Sequence, residues 1–291
     1  MMRWALGTLL LMGLFACQSS SLGPEPTEIE IAALAWIDDS TDAVAHLTQQ
    51  PATCLTTPDD ISVKRGALLF SSPLLLGGQA AKAELRCAAC QRNGRGNDAF
   101  VFTGISGAPG TADVTHGLFS KIRADDVFNP VPIPDLAQAE GRRLVDRDAP
   151  GALETFLSEQ IVEEFSGTPP EDHVIEDLAA YIRALDEQAC DINAIEPQAW
   201  QSEIDLVRVT LVQKEYSGSY KDAMRAALGR IHARYPAHPE IRADLVALSR
   251  DIASYADLMA VLPALDDLSR ALSAAEQGSL YNPERLARAL R

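Results

Sequence analysis

Apolar residues recur at helical spacing over most of the chain, and the stretches where that spacing fails are as informative as those where it holds. Thr27 to Leu47, opened after Pro26, carries Ile29, Ile31, Leu34, Trp36, Ile37 and Val44 and predicts a helix that Gln49-Gln50-Pro51 ends. A second helix is predicted from the capping pair Asp59-Asp60 through Ile61, Val63, Leu68, Leu69 and Phe70 to Ser71-Ser72-Pro73. An Ala-rich third covers Gln79 to Cys90. From Asn93 to Asp135 the periodicity dissolves into Gly- and Pro-rich chain with short apolar pieces such as Phe100-Val101-Phe102. A loop of roughly forty residues is uncommon in a compact domain, and usually wraps a cofactor or closes over a surface. Helical spacing returns at Ala152 to Phe165. It returns again at Glu171 to Gln188, where Val174, Ile175, Leu178, Tyr181, Ile182 and Leu185 line one face behind Pro169-Pro170.

Beyond Cys190 the chain predicts helices and almost nothing else, near 197–216, 220–234, 240–261, 264–277 and 283–291. The breaks fall at Ser217-Gly218, Tyr235-Pro236, Pro263, Gly278 and Pro283, without a fixed-period repeat. The expected fold is therefore mostly α. One helical domain with a long irregular loop covers 29–192, and a C-terminal helical bundle covers 197–291, with the boundary near Ile192 to Pro197.

The N-terminal residues predict export. Arg3 precedes an apolar run from Trp4 to Phe15, too short for the roughly 20 residues that cross a bilayer. Leu14-Phe15-Ala16-Cys17 resembles the bacterial lipobox, which implies a signal peptide over 1–16, cleavage after Ala16 and lipid on Cys17. An ordinary secretory signal cut at the same place is the alternative. Gln18, which is not Asp, implies sorting to the outer membrane of a Gram-negative cell, facing the periplasm. Residues 17–28 then form the lipidated cysteine and a flexible tether. With 25 basic against 41 acidic residues, the chain is a poor partner for nucleic acid or anionic lipid.

Setting Cys17 aside leaves Cys54, Cys87, Cys90 and Cys190, an even set in an oxidising space. Cys87 and Cys90 lie too close together to be independent, so Cys54 and Cys190 are the expected disulfide. Two separate buried thiols are the alternative.

Arg86-Cys87-Ala88-Ala89-Cys90-Gln91 carries the candidate chemistry. Thiols at i and i+3 of a helix share a face and can meet two vinyl groups on one edge of a haem. Arg65-Gly66-Ala67-Leu68-Leu69-Phe70 resembles the first helix of a c-type cytochrome. Asp177 to Leu185 resembles its last helix, which packs across the first. Leu69-Phe70 with Pro73-Leu74-Leu75, Cys87 to Asn97, and Gly104 to Asp135 resemble, in order, the first haem region and loop of the di-haem cytochrome c peroxidase-like family.

This resemblance covers roughly 58–188 and implies a cytochrome-c-like domain with haem c on Cys87 and Cys90. It also implies an electron-transfer role, with a redox or scaffold protein as partner. The chain departs from the pattern at Gln91, where the family has the axial His. An amide is a poor iron ligand beside an imidazole. Of His46, His116, His173, His232 and His238, the loop residue His116 is the best placed to serve the iron; its plain reading is a loop side chain bonded to backbone. Met224 and Met259 both fall in the C-terminal bundle. One cysteine pair holds one haem, so peroxidase activity is not expected.

The alternative is a haem-free scaffold or binding protein with Cys87 and Cys90 joined as a disulfide. No further Cys or His stands at zinc-ligand spacing beside the pair. Among other candidates, Arg92 and Arg95 would meet haem propionates or serve as loop cations. Asp125-Asp126 reads as a solvated turn in preference to a calcium site. Glu163-Glu164 and Asp266-Asp267 read as helix surface charge.

Overall fold

The computed structural model describes residues 29–213, 217–255 and 257–291, so the signal segment, Cys17 and the tether lie outside the described residues. The architecture is mostly helical, with two two-stranded pairings. A 3₁₀ turn at Ala32–Trp36 leads to α1 (Ala43–Thr48) and β1 (Gln49–Pro51). Next come α2 (Ile61–Phe70), α3 (Pro73–Leu76), α4 (Gly78–Lys82) and α5 (Cys87–Cys90). The long loop carries only β2 (Thr111–Ala112) and β3 (Val131–Pro132), paired antiparallel. After α6 (Ala139–Arg142), α7 (Ala152–Glu159) and α8 (Asp172–Ala184), β4 (Ile195–Pro197) pairs antiparallel with β1. The remainder is α9 (Trp200–Leu211), α10 (Gly218–Ala233), α11 (Pro239–Ser254), α12 (Leu262–Ala275) and α13 (Pro283–Ala289). Among the described residues no helix is long and apolar enough to cross a membrane.

Helix α2 begins where its cap predicts: the Asp60 carboxylate accepts from the Val63 N–H at 3.1 Å, satisfying a donor that has no partner within the helix. It buries Val63, Gly66, Leu68, Leu69 and Phe70, chiefly against α8. The two helices come together at Gly66, where only a hydrogen fits, since an added Cβ would lie 2.1 Å from the Asp177 carbonyl oxygen. Beside this crossing Phe70 and Tyr181 meet with ring centroids 5.2 Å apart.

Cys54 and Cys190 form a disulfide with Cα atoms 4.9 Å apart across a sequence separation of 136. Leu55 bridges to Leu185, and the Asp186 N–H donates to the Cys54 carbonyl at 2.9 Å, so the bond closes ends that the backbone already holds together.

Three predicted helices differ from what is seen. Within the described part of the helix predicted over 27–47, residues 29–47 do not form one helix: Ile37 bridges to Phe100, the Asp38 N–H donates to Ala99 and the Trp36 carbonyl accepts from Val101. Those pairings with the long loop draw the backbone into extended form, and Asp42 restarts the helix by capping α1. The Ala-rich stretch is likewise two short helices, α4 and α5, parted by Glu84 at φ 58. Between α11 and α12 the break falls at Tyr255, while Pro263 stands in the first turn of α12, where a missing N–H costs nothing.

The bundle after Pro197 shares a core with the helices before it. Buried apolar side chains form one continuous cluster from Trp36 to Leu272, and α2 packs against α9 and α10 as well as α8. Between these layers, Tyr220 of α10 donates its hydroxyl to the Asp177 carboxylate of α8 at 2.5 Å. Arg65 lies over the Tyr220 ring, 4.1 Å from its centroid, and 3.0 Å from Asp177.

Candidate functional site

Helix α5 is a single turn. Arg86 precedes it in extended conformation, and the Asn97 side-chain amide donates to the Ala89 carbonyl at 2.8 Å, tying the turn to the loop beyond. At helical spacing Cys87 and Cys90 share one side of the turn, with Ala88 and Ala89 on the other.

Both cysteines are free thiols and half-buried, so the Cys87–Cys90 disulfide of the alternative expectation is not formed. Burial pushes each thiol up to about 12, and the neighbouring Glu164 carboxylate adds to the shift. Neutral thiols at physiological pH are weak nucleophiles. Glu164, expected as helix surface charge, is instead 6 % exposed and 3.2 Å from Arg123, with burial raising its carboxyl to about 7.

The residues around α5 do not fit a haem iron. His116 is exposed in the loop, and its Nδ1 accepts from the Leu118 N–H at 3.1 Å, the plain reading of that residue. His46 Nδ1 is engaged 3.2 Å from Arg92, and burial followed by the Arg92 charge lowers its ring to about 4. His232 Nε2 accepts from Arg242 at 3.0 Å, and His173 stacks on Tyr220. Met224 is buried in α10, whereas Met259 is exposed. Among the described residues no three His, Cys, Asp or Glu side chains converge as a metal site.

The remaining sequence candidates have structural partners. Arg95 is buried, 2.8 Å from Asp135 and 3.3 Å from the Cys54 sulfur. Arg92 donates to the carbonyls of His46 and Gln49. Asp125 accepts from the Val127 N–H in a turn, and Asp266 pairs with Arg208 at 2.7 Å.

On the alanine side of α5 the structure opens instead. A cleft of about 1200 Å³ lies between α2, α5, α9 and α10, with Ala88 and Ala89 in its wall and neither cysteine reaching it. Such a volume exceeds most small-molecule pockets. Trp36, Ala67, Phe70 and Leu74 give it an apolar side, and Arg86, Arg230 and Arg234 a cationic one. Arg230 forks onto Glu203, with contacts of 2.7 and 2.6 Å, and donates to the Ser71 carbonyl. Arg234 is buried and bonded to neutral acceptors alone: the carbonyls of Leu47 and Leu280 and the Gln198 amide oxygen. Among the described residues the Arg86 guanidinium has no hydrogen-bond partner; burial, then Arg230, lowers it to about 10, while Glu203 and Glu84 act the other way.

Sequence reasoning singled out none of Arg86, Arg230 and Arg234 as a binding group, because only the fold brings them to one cleft. Their sole local signal is the i, i+4 spacing of Arg230 and Arg234 on one helix face. No family model, curated protein or solved structure matches this chain.

Proposed function

We propose that the protein is a membrane-anchored, haem-free binding protein built on a cytochrome-c-like helical frame. One observation carries this reading: the space at α5 opens on its alanine side, among arginines and aromatic rings. Its cysteine side has neutral thiols, and His116, the imidazole expected to serve an iron, is exposed and bonds the Leu118 N–H through Nδ1. The close crossing of α2 and α8 at Gly66, with Phe70 against Tyr181, supports descent from the frame that the sequence resembles. The Cys54–Cys190 disulfide supports an oxidising compartment, in keeping with lipid on Cys17 and a periplasm-facing outer-membrane location.

The competing reading is an electron-transfer cytochrome with haem c on Cys87 and Cys90 and altered axial ligation. It draws support from the two thiols being free and on one side of the turn. A pyridine haemochrome spectrum on protein made with the haem-attachment machinery present decides between them. The binding-protein reading expects no covalent haem in the wild type, and a haemochrome band there overturns it. For the anchor, mass spectrometry of the N-terminal peptide should show acyl chains on Cys17, and Cys17→Ser should release the protein from membranes. An unmodified cysteine would refute the lipid assignment.

A further inference from the structure

The most buried cations of the cleft are Arg86, Arg230 and Arg234. Of Arg86, Arg230 and Arg234, only Arg230 has a carboxylate in contact, Glu203 at 2.6 Å. Arg92, also in the wall, meets backbone carbonyls and His46 alone. Of the other acidic residues of the lining, Glu30, Glu84, Glu196 and Asp205 are exposed to water, where their charge is screened, and Asp222 pairs with Arg225 at 3.3 Å. The lining as a whole carries as many acidic as basic residues, but its buried charges are arginines, with Glu203 the one carboxylate in contact with them.

The Arg86 guanidinium is half-buried and has no hydrogen-bond partner among the described residues, so its donors are open to an anion entering the cleft. The planar fork of a guanidinium matches the two oxygens of a carboxylate or phosphate. Beside it runs an apolar wall from Ala67 and Phe70 to Leu74, whose side chain is 55 % exposed at the mouth.

We propose that this cleft binds an anionic amphiphile, its carboxylate or phosphate head on Arg86 beside Arg230 and Arg234, and its apolar body along Ala67, Phe70 and Leu74. The proposal rests on the binding-protein reading and names its ligand class. Arg230 and Arg234 are held by Glu203, Gln198 and backbone carbonyls, so they form a fixed cationic wall and Arg86 supplies the free donors.

The test is calorimetric titration of the full mature chain, carrying Cys17→Ser so that no detergent is needed, with dodecanoate, dodecyl phosphate and dodecanol. Saturable binding of one or both anions is expected, and the comparison between them identifies the head group. Dodecanol should bind at least tenfold more weakly, and Arg86→Gln should weaken the preferred anion at least tenfold. Because the Arg86 guanidinium has no described hydrogen-bond partner, the variant should melt no lower than the wild type. Absence of saturable anion binding, equal binding of dodecanol, or unchanged affinity in a folded Arg86→Gln protein overturns the proposal. Covalent haem in the same preparation would instead defeat the underlying functional reading, so the two failures are separable.

Discussion

Gly66 of α2 stands against the backbone of Asp177 in α8 so closely that a Cβ there would come within 2.1 Å of the carbonyl oxygen and 2.7 Å of the Tyr181 Cβ. Neither neighbour is the end of a flexible side chain, so the helices themselves must separate to admit a methyl group. Gly66→Ala should therefore destabilise the protein by about 3 kcal/mol, at the upper end of overpacking costs, despite the better helix propensity of alanine. Urea melts of the two proteins measure this directly. A variant as stable as the wild type would show that the crossing is not tight.

The Cys54–Cys190 bond constrains the unfolded chain across a separation of 136 residues. By loop-closure entropy this is worth about 5 kcal/mol. The double variant Cys54→Ala/Cys190→Ala should accordingly lower Tm by roughly 10–20 °C, at about 2–4 °C per kcal/mol for a chain of this size. Differential scanning calorimetry checks it, and adding reductant to the wild type should reproduce most of the shift.

How much of this could be read along the chain follows the range of the forces involved. Helices α2 and α8 were legible because their caps and apolar stripes are local; Asp60 meets Val63 three residues on. The helix predicted over 27–47 fails because the hydrogen bonds that decide its form run to Ala99 and Val101, some sixty residues away. The disulfide was legible by elimination among four cysteines. The cleft was not, since Arg86 lies well over a hundred residues from Arg230 and Arg234, and no local pattern joins them.

Acid–base behaviour offers a third check. Burial raises the Glu164 carboxyl from 4.5 to about 7, while Arg123 pulls it the other way. Between those pH values the folded state holds a proton that the unfolded state has released. This contribution to stability is thus full below the unfolded value and is lost as pH rises through about 7. His46 works oppositely: lowered from 6.5 to about 4, it contributes above its unfolded value and loses that contribution as pH falls towards 4. Glu164→Gln should remove the first slope and leave the second. Between pH 5 and 8 the variant should gain up to about 3 kcal/mol on the wild type, read from urea melts at each pH. Parallel curves would place Glu164 in a more solvated setting than its 6 % exposure implies.

The bond between Tyr220 and Asp177 bears on whether the chain unfolds as one unit or two. It joins α10 to α8 across the boundary that composition suggests near 192–197, at 2.5 Å and with the Tyr220 ring fully buried. Its acceptor is a carboxylate with Arg65 3.0 Å away, so the bond belongs to the charge-assisted class. Tyr220→Phe keeps the ring packed but deprives buried Asp177 of its hydroxyl donor, at a cost of about 1.5–3 kcal/mol. With a core continuous from Trp36 to Leu272, that loss should lower a single cooperative transition as a whole. Following unfolding separately by Trp36 and Trp200 fluorescence, in Trp200→Phe and Trp36→Phe backgrounds, distinguishes the cases. Coincident curves that shift together on Tyr220→Phe support one unit. A shift confined to one tryptophan would mean that the two halves melt independently and that this contact adds little to either.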